Sequence, residues 1–318
     1  MINYLSAEVW MSTILKDRQL FFNEKLEFVD AIAKSFLLET NYIVYVVRGK
    51  VVISLIAYSK GKKIIDPLYF IYSTFWVAKL KDTQYCTYVT DFLNSLTTSF
   101  THISLNLNTN IVDVRPFSWC GFSTKNRYTY LKYLSNSEGG YSADINRSVK
   151  EFQSLGAKVD LLPISDDILT KNFGFLRDNG FFSSSEMVNV ITSFRNLKGY
   201  NSVQLFGCYI DDQLFASSIV LLDDMSKVAY IAFVCKIERK VSGNHSMHAY
   251  LYDAMFSYFK KNGYENVDLL GANVYSIAKF KSKFTANLKV YYQVDYSATK
   301  NYISAFLSKL KRVVKKMI

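Results

Sequence analysis

The sequence predicts an α/β protein with mixed sheets of the α+β type, built as two tandem copies of one unit and closed by a basic amphipathic helix. Three observations lead there. Landmarks recur at a shift of about 163 residues, strand-like and helix-like runs alternate within each copy, and the last 21 residues differ in charge from everything before them. The expected segments are 1–140, 141–297 and 298–318.

The repeat comes first because it decides the architecture. Val44–Val52 faces Gly207–Phe215, each a strand, a polar turn and another strand. Tyr88–Leu96 faces Leu251–Phe259, both with helical spacing of apolar residues. His102–Asn106 faces Asn266–Leu270, short apolar runs of the buried-strand kind. Phe117 falls opposite Phe280, and Arg127–Tyr133 faces Lys289–Asp295, two aromatic β-prone runs. A helix joins the third and fourth strands of each copy, so those strands are expected to run parallel.

Element by element, the second copy opens with a helix capped by Ser142, running through Leu155 and closed by Gly156. Ala157–Pro163 reads as a strand, and Asp166–Asn179 and Ser184–Leu197 as helices. Ser202–Ile210 and Leu214–Leu222 form a hairpin across Asp211-Asp212. Val228–Cys235 is a strand, Ser246–Lys261 a helix ended by Asn262-Gly263, and Val267–Leu270 a buried strand. Ile277–Phe284 is a short helix and Lys289–Asp295 the last strand.

Composition narrows the function classes. Half of the 318 residues are hydrophobic, with 24 Tyr and 24 Phe, so a large core is available and disorder is not expected. Three prolines and 13 glycines imply short loops. Cys86, Cys120, Cys208 and Cys235 are scattered, and with His102, His245 and His248 they make no zinc set; free thiols and no metal are expected. Met1–Tyr4 opens no signal-peptide pattern, and stretches such as Ile43–Val47 and Val51–Ala57 are too short to cross a bilayer, which points to the cytoplasm. Of the net charge of +11, residues 1–140 hold +4, residues 141–297 hold +1 and the last 21 hold +6, so the body has no distributed nucleic-acid face.

The segment Gly263–Asn273 (GYENVDLLGAN), followed by Ile277–Phe284 (IAKFKSKF), carries a resemblance. It is similar to the FemAB-like acyltransferases of the GNAT superfamily, which have a G-Y-x-x-F/V-D-x-x-G strand-to-loop element and then an F-K-x-x-F helix. That resemblance implies two tandem GNAT-like domains and transfer of an acyl or aminoacyl group to an amine. One expectation is an acyl group taken from a CoA thioester, acetyl-CoA or another, and given to an amino sugar or a nucleotide- or lipid-linked precursor of the cell envelope or a surface polysaccharide. Relatives that build peptidoglycan bridges use charged tRNA instead; the long helical arm of some of them is absent here, which disfavours tRNA. A catalytically inactive double-GNAT scaffold stands as the reading from another class.

Within that frame Lys281 is the first candidate. It follows Phe280 on the short helix, and the resemblance places it at the substrate site as a cation for donor or acceptor phosphate; a solvent-facing lysine is the alternative. Asp268, between Val267 and Leu269, is costly to bury without partners, so it either holds the Gly271–Ser276 loop through N–H bonds or assists deprotonation of the amine. Asn273 and Ser276 are expected to cap the next helix and, with Gly271, to touch substrate. The loop Lys236–Asn244 contains Arg239, Lys240, Gly243 and Asn244, a set suited to a pyrophosphate ahead of a helix start; Tyr230 on the preceding strand is grouped with them. Its Lys240–His245 stretch meets the superfamily motif Gln/Arg-x-x-Gly-x-Gly/Ala only in part, and a solvated turn fits it equally. His248 is a candidate general base, while His245 and His248 are three apart, off the usual zinc spacing. In the first copy Ser118 stands opposite Lys281 and Leu105 opposite Asp268, so the polar set belongs to the second copy and the first looks degenerate.

In the tail, Ile303, Phe306, Leu307, Leu310, Val313, Val314 and Met317 make one apolar stripe, with Lys309, Lys311, Arg312, Lys315 and Lys316 on the other face. Two readings stay open: a helix lying on an anionic inner membrane surface, or one packed on the body.

Overall fold

The computed structural model describes residues 1–67, 72–135, 140–181, 183–237, 246–299 and 301. The first copy runs β1 (Ile2–Leu5), α1 (Ala7–Ile14), α2 (Leu26–Phe36), β2 (Glu39–Val47), β3 (Lys50–Lys60), β4 (Lys63–Ile64), β5 (Trp76–Val77), α3 (Asp82–Ser99), β6 (His102–Asn106), α4 (Arg115–Trp119) and β7 (Ser123–Tyr133). The second runs α5 (Ala143–Ser154), β8 (Lys158–Leu162), α6 (Asp166–Asp178), α7 (Ser184–Asn196), β9 (Val203–Ile210), β10 (Gln213–Asp223), β11 (Val228–Lys236), α8 (Met247–Lys261), β12 (Asn266–Asp268), α9 (Tyr275–Lys281) and β13 (Asn287–Ser297). The repeated order hairpin, helix, strand, helix, strand is present in both. Each hairpin closes through two residues with positive φ, Arg48-Gly49 and Asp211-Asp212, the conformation a two-residue turn requires.

The chain forms two compact units, and neither is a single stretch of sequence. One comprises Met1–Arg18, Leu37–Arg127 and the described residues from Tyr291 onward; the other comprises the described residues of Gln19–Phe36 and Tyr128–Val290. The segments 1–140 and 141–297 thus name sequence copies, whereas each compact unit draws on both.

In the first unit the strand order is β1-β2-β3-β4-β6-β13, with β5 also paired to β3. The closing strand β13 comes from the second copy and lies antiparallel to β6, Val294 opposite Leu105. Its core gathers Leu55, Phe92, Leu96, Ile103 and Phe117. In the second unit the order is β7-β12-β11-β10-β9-β8, and here the closing strand β7 comes from the first copy, Leu131 opposite Asp268. As the crossover argument requires, β11 and β12 are parallel, joined through α8, and β4 and β6 are parallel, joined through α3.

Helices cover both faces of the second unit's sheet. On one face α5 packs against α8 over Phe152, Met255, Phe259 and Phe284. On the other lie α6 and α7, joined by α2 from the first copy. The buried stripe Phe28, Val29, Ala31 and Ile32 of α2 explains why this helix needs a partner. Asn196 donates to Ser35 Oγ at 3.2 Å, and Tyr200 Oη donates to the Phe22 carbonyl at 3.2 Å.

Two elements stop earlier than expected. The strand at 267–270 ends at Asp268 because Leu270 and Gly271 both have left-handed φ, +54° and +52°. The helix expected over 277–284 is α-helical only to Lys281, then tightens into a 3-10 turn over Ser282–Phe284 before Thr285 at φ +55°.

Candidate active site

Pairing of β11 with β12 extends over Val228–Tyr230 and Asn266–Asp268 only. Beyond it β11 continues to Lys236, whereas the chain after Asp268 leans toward β7. Leu269 N–H donates to the Tyr130 carbonyl at 2.8 Å, and Ala272 N–H to that of Tyr128 at 3.1 Å. The two strands therefore fork. A β-bulge sits at the opening: Ile219 faces Phe233 and Val220 faces Ile231, leaving Ala232 as the extra residue. Such a residue drops out of the ladder, and its backbone groups are re-aimed. Ala232 and Val234 are half-buried, between the buried Ile231, Phe233 and Cys235.

On the other arm of the fork lies Lys281. It shares the inward side of its helix with the fully buried Phe284, whose ring meets those of Tyr252, Phe256 and Phe280 at 5.1–5.7 Å. The lysine is 8% exposed, and its Nζ donates to the Leu269 carbonyl at 2.6 Å and the Leu270 carbonyl at 2.7 Å. Burial lowers its pKa to about 8, against the opposing pull of the Asp268 carboxylate. A Cβ on Gly271 would stand 3.4 Å from Nζ, so the glycine that permits the turn also leaves room for the ammonium. Lys281 does not face bulk solvent, and two of its three N–H groups are spoken for within the loop.

Asp268 is 3% exposed. One carboxylate oxygen accepts from the Thr129 hydroxyl and from Leu270 N–H at 2.9 Å. It thus holds the loop through an N–H bond, the first of its two expected roles. Tyr230, its register partner, is buried with its ring 5.6 Å from that of Phe22. Burial, then the Asp268 and Asp223 carboxylates, push its phenol up. Phe280 is half-buried in the aromatic cluster, 5.8 Å from Tyr252.

Capping by Asn273 and Ser276 is corrected by the structure. The α9 N-cap is Val274, with no side-chain cap bond. Asn273 instead accepts from Tyr128 N–H at 2.9 Å, pinning the loop to β7, and Ser276 is exposed on the first turn of the helix. His248 is half-buried, its ring bonded to the Cys235 carbonyl and its Nε2 without a partner among the described residues. Burial and the charge of Lys236 drop its pKa to about 4, too weak a base for a proton transfer near neutrality. It shares no hydrogen-bond partner with Lys281. Arg239, Lys240, Gly243 and Asn244 lie outside the described residues, as does the tail from Tyr302.

The sequence did not single out Thr129, Ala232 or Phe22. Thr129 and Phe22 belong to the first copy, and a bulge has no residue signature of its own.

The first unit closes its counterpart of the fork. There the third strand is broken into β4 and β5, which pair with β3 at separate places, Ser59 with Ile64 and Ile53 with Val77. Residues bordering the break tie off the end of β6. Asp66 accepts from Asn106 N–H at 2.5 Å, while the Ser73 N–H and hydroxyl donate to the Asn106 carbonyl at 2.7 and 2.9 Å.

Asp82, Cys86 and Asp113 lie close enough to suggest a metal site. Arg115 bonds to all three, so a guanidinium already supplies the positive charge.

A forked mixed sheet flanked by helices, doubled with exchanged closing strands, is a tandem GNAT-like fold, and comparison with solved structures bears this out. The chain is similar to FemX with a TM-score of 0.65 at 9% identity, over 95% of this chain and 98% of that one. It resembles the C-terminal domain of a protein named as a lysylphosphatidylglycerol synthetase from Agrobacterium fabrum, with a TM-score of 0.55 at 12% identity over 96% and 95%. A tandem GNAT protein from the clavulanic acid biosynthesis pathway matches with a TM-score of 0.53 at 9% identity over 92% and 97%. No protein-family model and no curated protein matches the sequence. Among the described residues, no helix is long and apolar enough to cross a membrane.

Proposed function

We propose that this chain is an N-acyltransferase that moves an acyl group from a CoA thioester to an amine of a cell-envelope or surface-polysaccharide precursor, an amino sugar or a nucleotide- or lipid-linked intermediate. The observation that carries the reading is the fork, with a bulged residue on one arm and a buried ammonium on the other. A thioester laid along the open edge of β11 would bring its carbonyl to the bulge, where the Ala232 N–H is the donor for the developing oxyanion. The neutral amine attacks the carbonyl carbon, the C–S bond breaks, the thiolate leaves, and the amine proton passes to water. Lys281 supplies a positive charge on the facing arm, fixed by the Leu269 and Leu270 carbonyls, and Asp268 keeps that loop in place. The donor pyrophosphate would lie with Arg239, Lys240, Gly243 and Asn244 before the start of α8. The acceptor, with Phe280, Gly271, Asn273 and Ser276, would lie on the loop side. A cytoplasmic setting fits such precursors, and the basic tail would bring the chain to the inner membrane surface.

Likeness to FemX and to a lysylphosphatidylglycerol synthetase domain favours a second reading, an aminoacyl group delivered by charged tRNA. Calorimetric titration with acetyl-CoA separates the two. Binding heat that disappears in Lys240→Ala and Gly243→Val is expected for the first. Silence with acetyl-CoA together with binding of charged tRNA would transfer the assignment to the second, and silence with both would remove it altogether.

A further inference from the structure

We propose that Thr129, carried into the second unit on the closing strand of the first copy, is a positioning residue for the Lys281 ammonium and acts through Asp268 and the Leu269–Gly271 loop. The inference rests on the assignment of the fork as the transfer site. The bonds form one chain: the Thr129 hydroxyl donates to Asp268 Oδ1, the same oxygen accepts from Leu270 N–H, and the carbonyls of Leu269 and Leu270 hold the ammonium. Thr129 is fully buried and Asp268 nearly so, which means water cannot replace the hydroxyl if it is removed. Leu270 sits at φ +54°, a conformation that a leucine holds only when its surroundings impose it, and the Asp268 bond to its N–H is one such constraint.

The first unit provides the internal control. Thr129 stands two residues before Leu131, the register partner of Asp268. In the first unit, Leu105 pairs with Val294, and two residues before Val294 stands Tyr292, half-buried against the apolar core. The counterpart of Lys281 there is the exposed Ser118. Thr129, Asp268 and Lys281 occur together in one unit, where the other has Tyr292, Leu105 and Ser118.

The test uses full-length protein uniformly labelled with 13C-lysine, following the Lys281 resonance against pH by NMR after assigning it by its loss in Lys281→Met. Asp268 is the charged group acting on Lys281. Thr129→Val removes the hydroxyl that fixes Asp268 Oδ1 against Leu270 N–H, so the carboxylate and the two loop carbonyls are no longer held at the ammonium. The expected result is at least a tenfold loss of proton affinity at Lys281 in Thr129→Val, recovery in Thr129→Ser, and a comparable loss in Asp268→Asn that Thr129→Val does not deepen. A Thr129→Val protein that melts cooperatively and titrates with the wild type overturns the proposal. Should that variant fail to fold, wild-type titration of Lys281 in Asp268→Asn overturns it equally. No donor or acceptor is present in these titrations, so a failure of acetyl-CoA to bind would remove the functional assignment while leaving this result standing.

Discussion

Lys281 shows how far one residue can be taken before its surroundings are known. Its place after Phe280 and before Phe284 is visible in the sequence, but whether it turns outward beside Lys279 and Lys283 depends on which side of a short helix is covered. Phe284 decides that, and the ammonium is left with two backbone carbonyls in place of water. A consequence is measurable. The folded lysine loses its proton near pH 8 and the unfolded one near 10.5, so the unfolded chain holds more protons between those values and stability rises with pH across them. The rise is about 3 kcal/mol at most. Below pH 8 both states are charged, and the burial cost is fully present. Thermal melts should show wild type gaining on Lys281→Met from pH 8 to 10, and a constant difference would remove the buried cation from the account. Transfer activity should decline over the same interval as the cation is neutralised, with Lys281→Met inactive throughout.

At the level of elements the two copies permit a paired experiment. Gly49 and Asp212 occupy the same place in equivalent hairpin turns, at φ +78° and +61°. Open space surrounds Gly49, so Gly49→Ala meets only backbone strain and should cost about 1 kcal/mol. Asp212→Gly relieves the same strain and should gain a few tenths of a kcal/mol, since aspartate tolerates this conformation better than alanine. Urea midpoints moving in opposite directions are expected, and movement in one direction would show that the turns are not equivalent. These hairpins were legible because alternation and turn chemistry are local. The Ala232 bulge was not, because it arises from a one-residue mismatch between β10 and β11 that only pairing reveals. Asn273 departs from the expected cap for a related reason: an asparagine ahead of a helix suits a cap, but the nearby Tyr128 backbone offers a competing pair of groups.

For the molecule as a whole, the closed fork of the first unit predicts one donor site per chain. Calorimetry with acetyl-CoA should return a stoichiometry of one, and a value of two would mean that the Asp66 and Ser73 bonds to Asn106 give way to a ligand. The duplication, the order of elements, the parallel third and fourth strands and the confinement of Asp268 and Lys281 to one copy were determined by the sequence alone. All of these follow from periodicity and turn residues acting over short distances. Which copy's closing strand completes which sheet was decided only by tertiary structure. Arg127–Tyr133 and Lys289–Asp295 are alike in aromatic, β-prone character, so nothing local distinguishes their destinations. The exchange of those strands brings Thr129 to Asp268 across 139 residues of chain, and the path of the intervening backbone, rather than any pattern in it, sets that meeting.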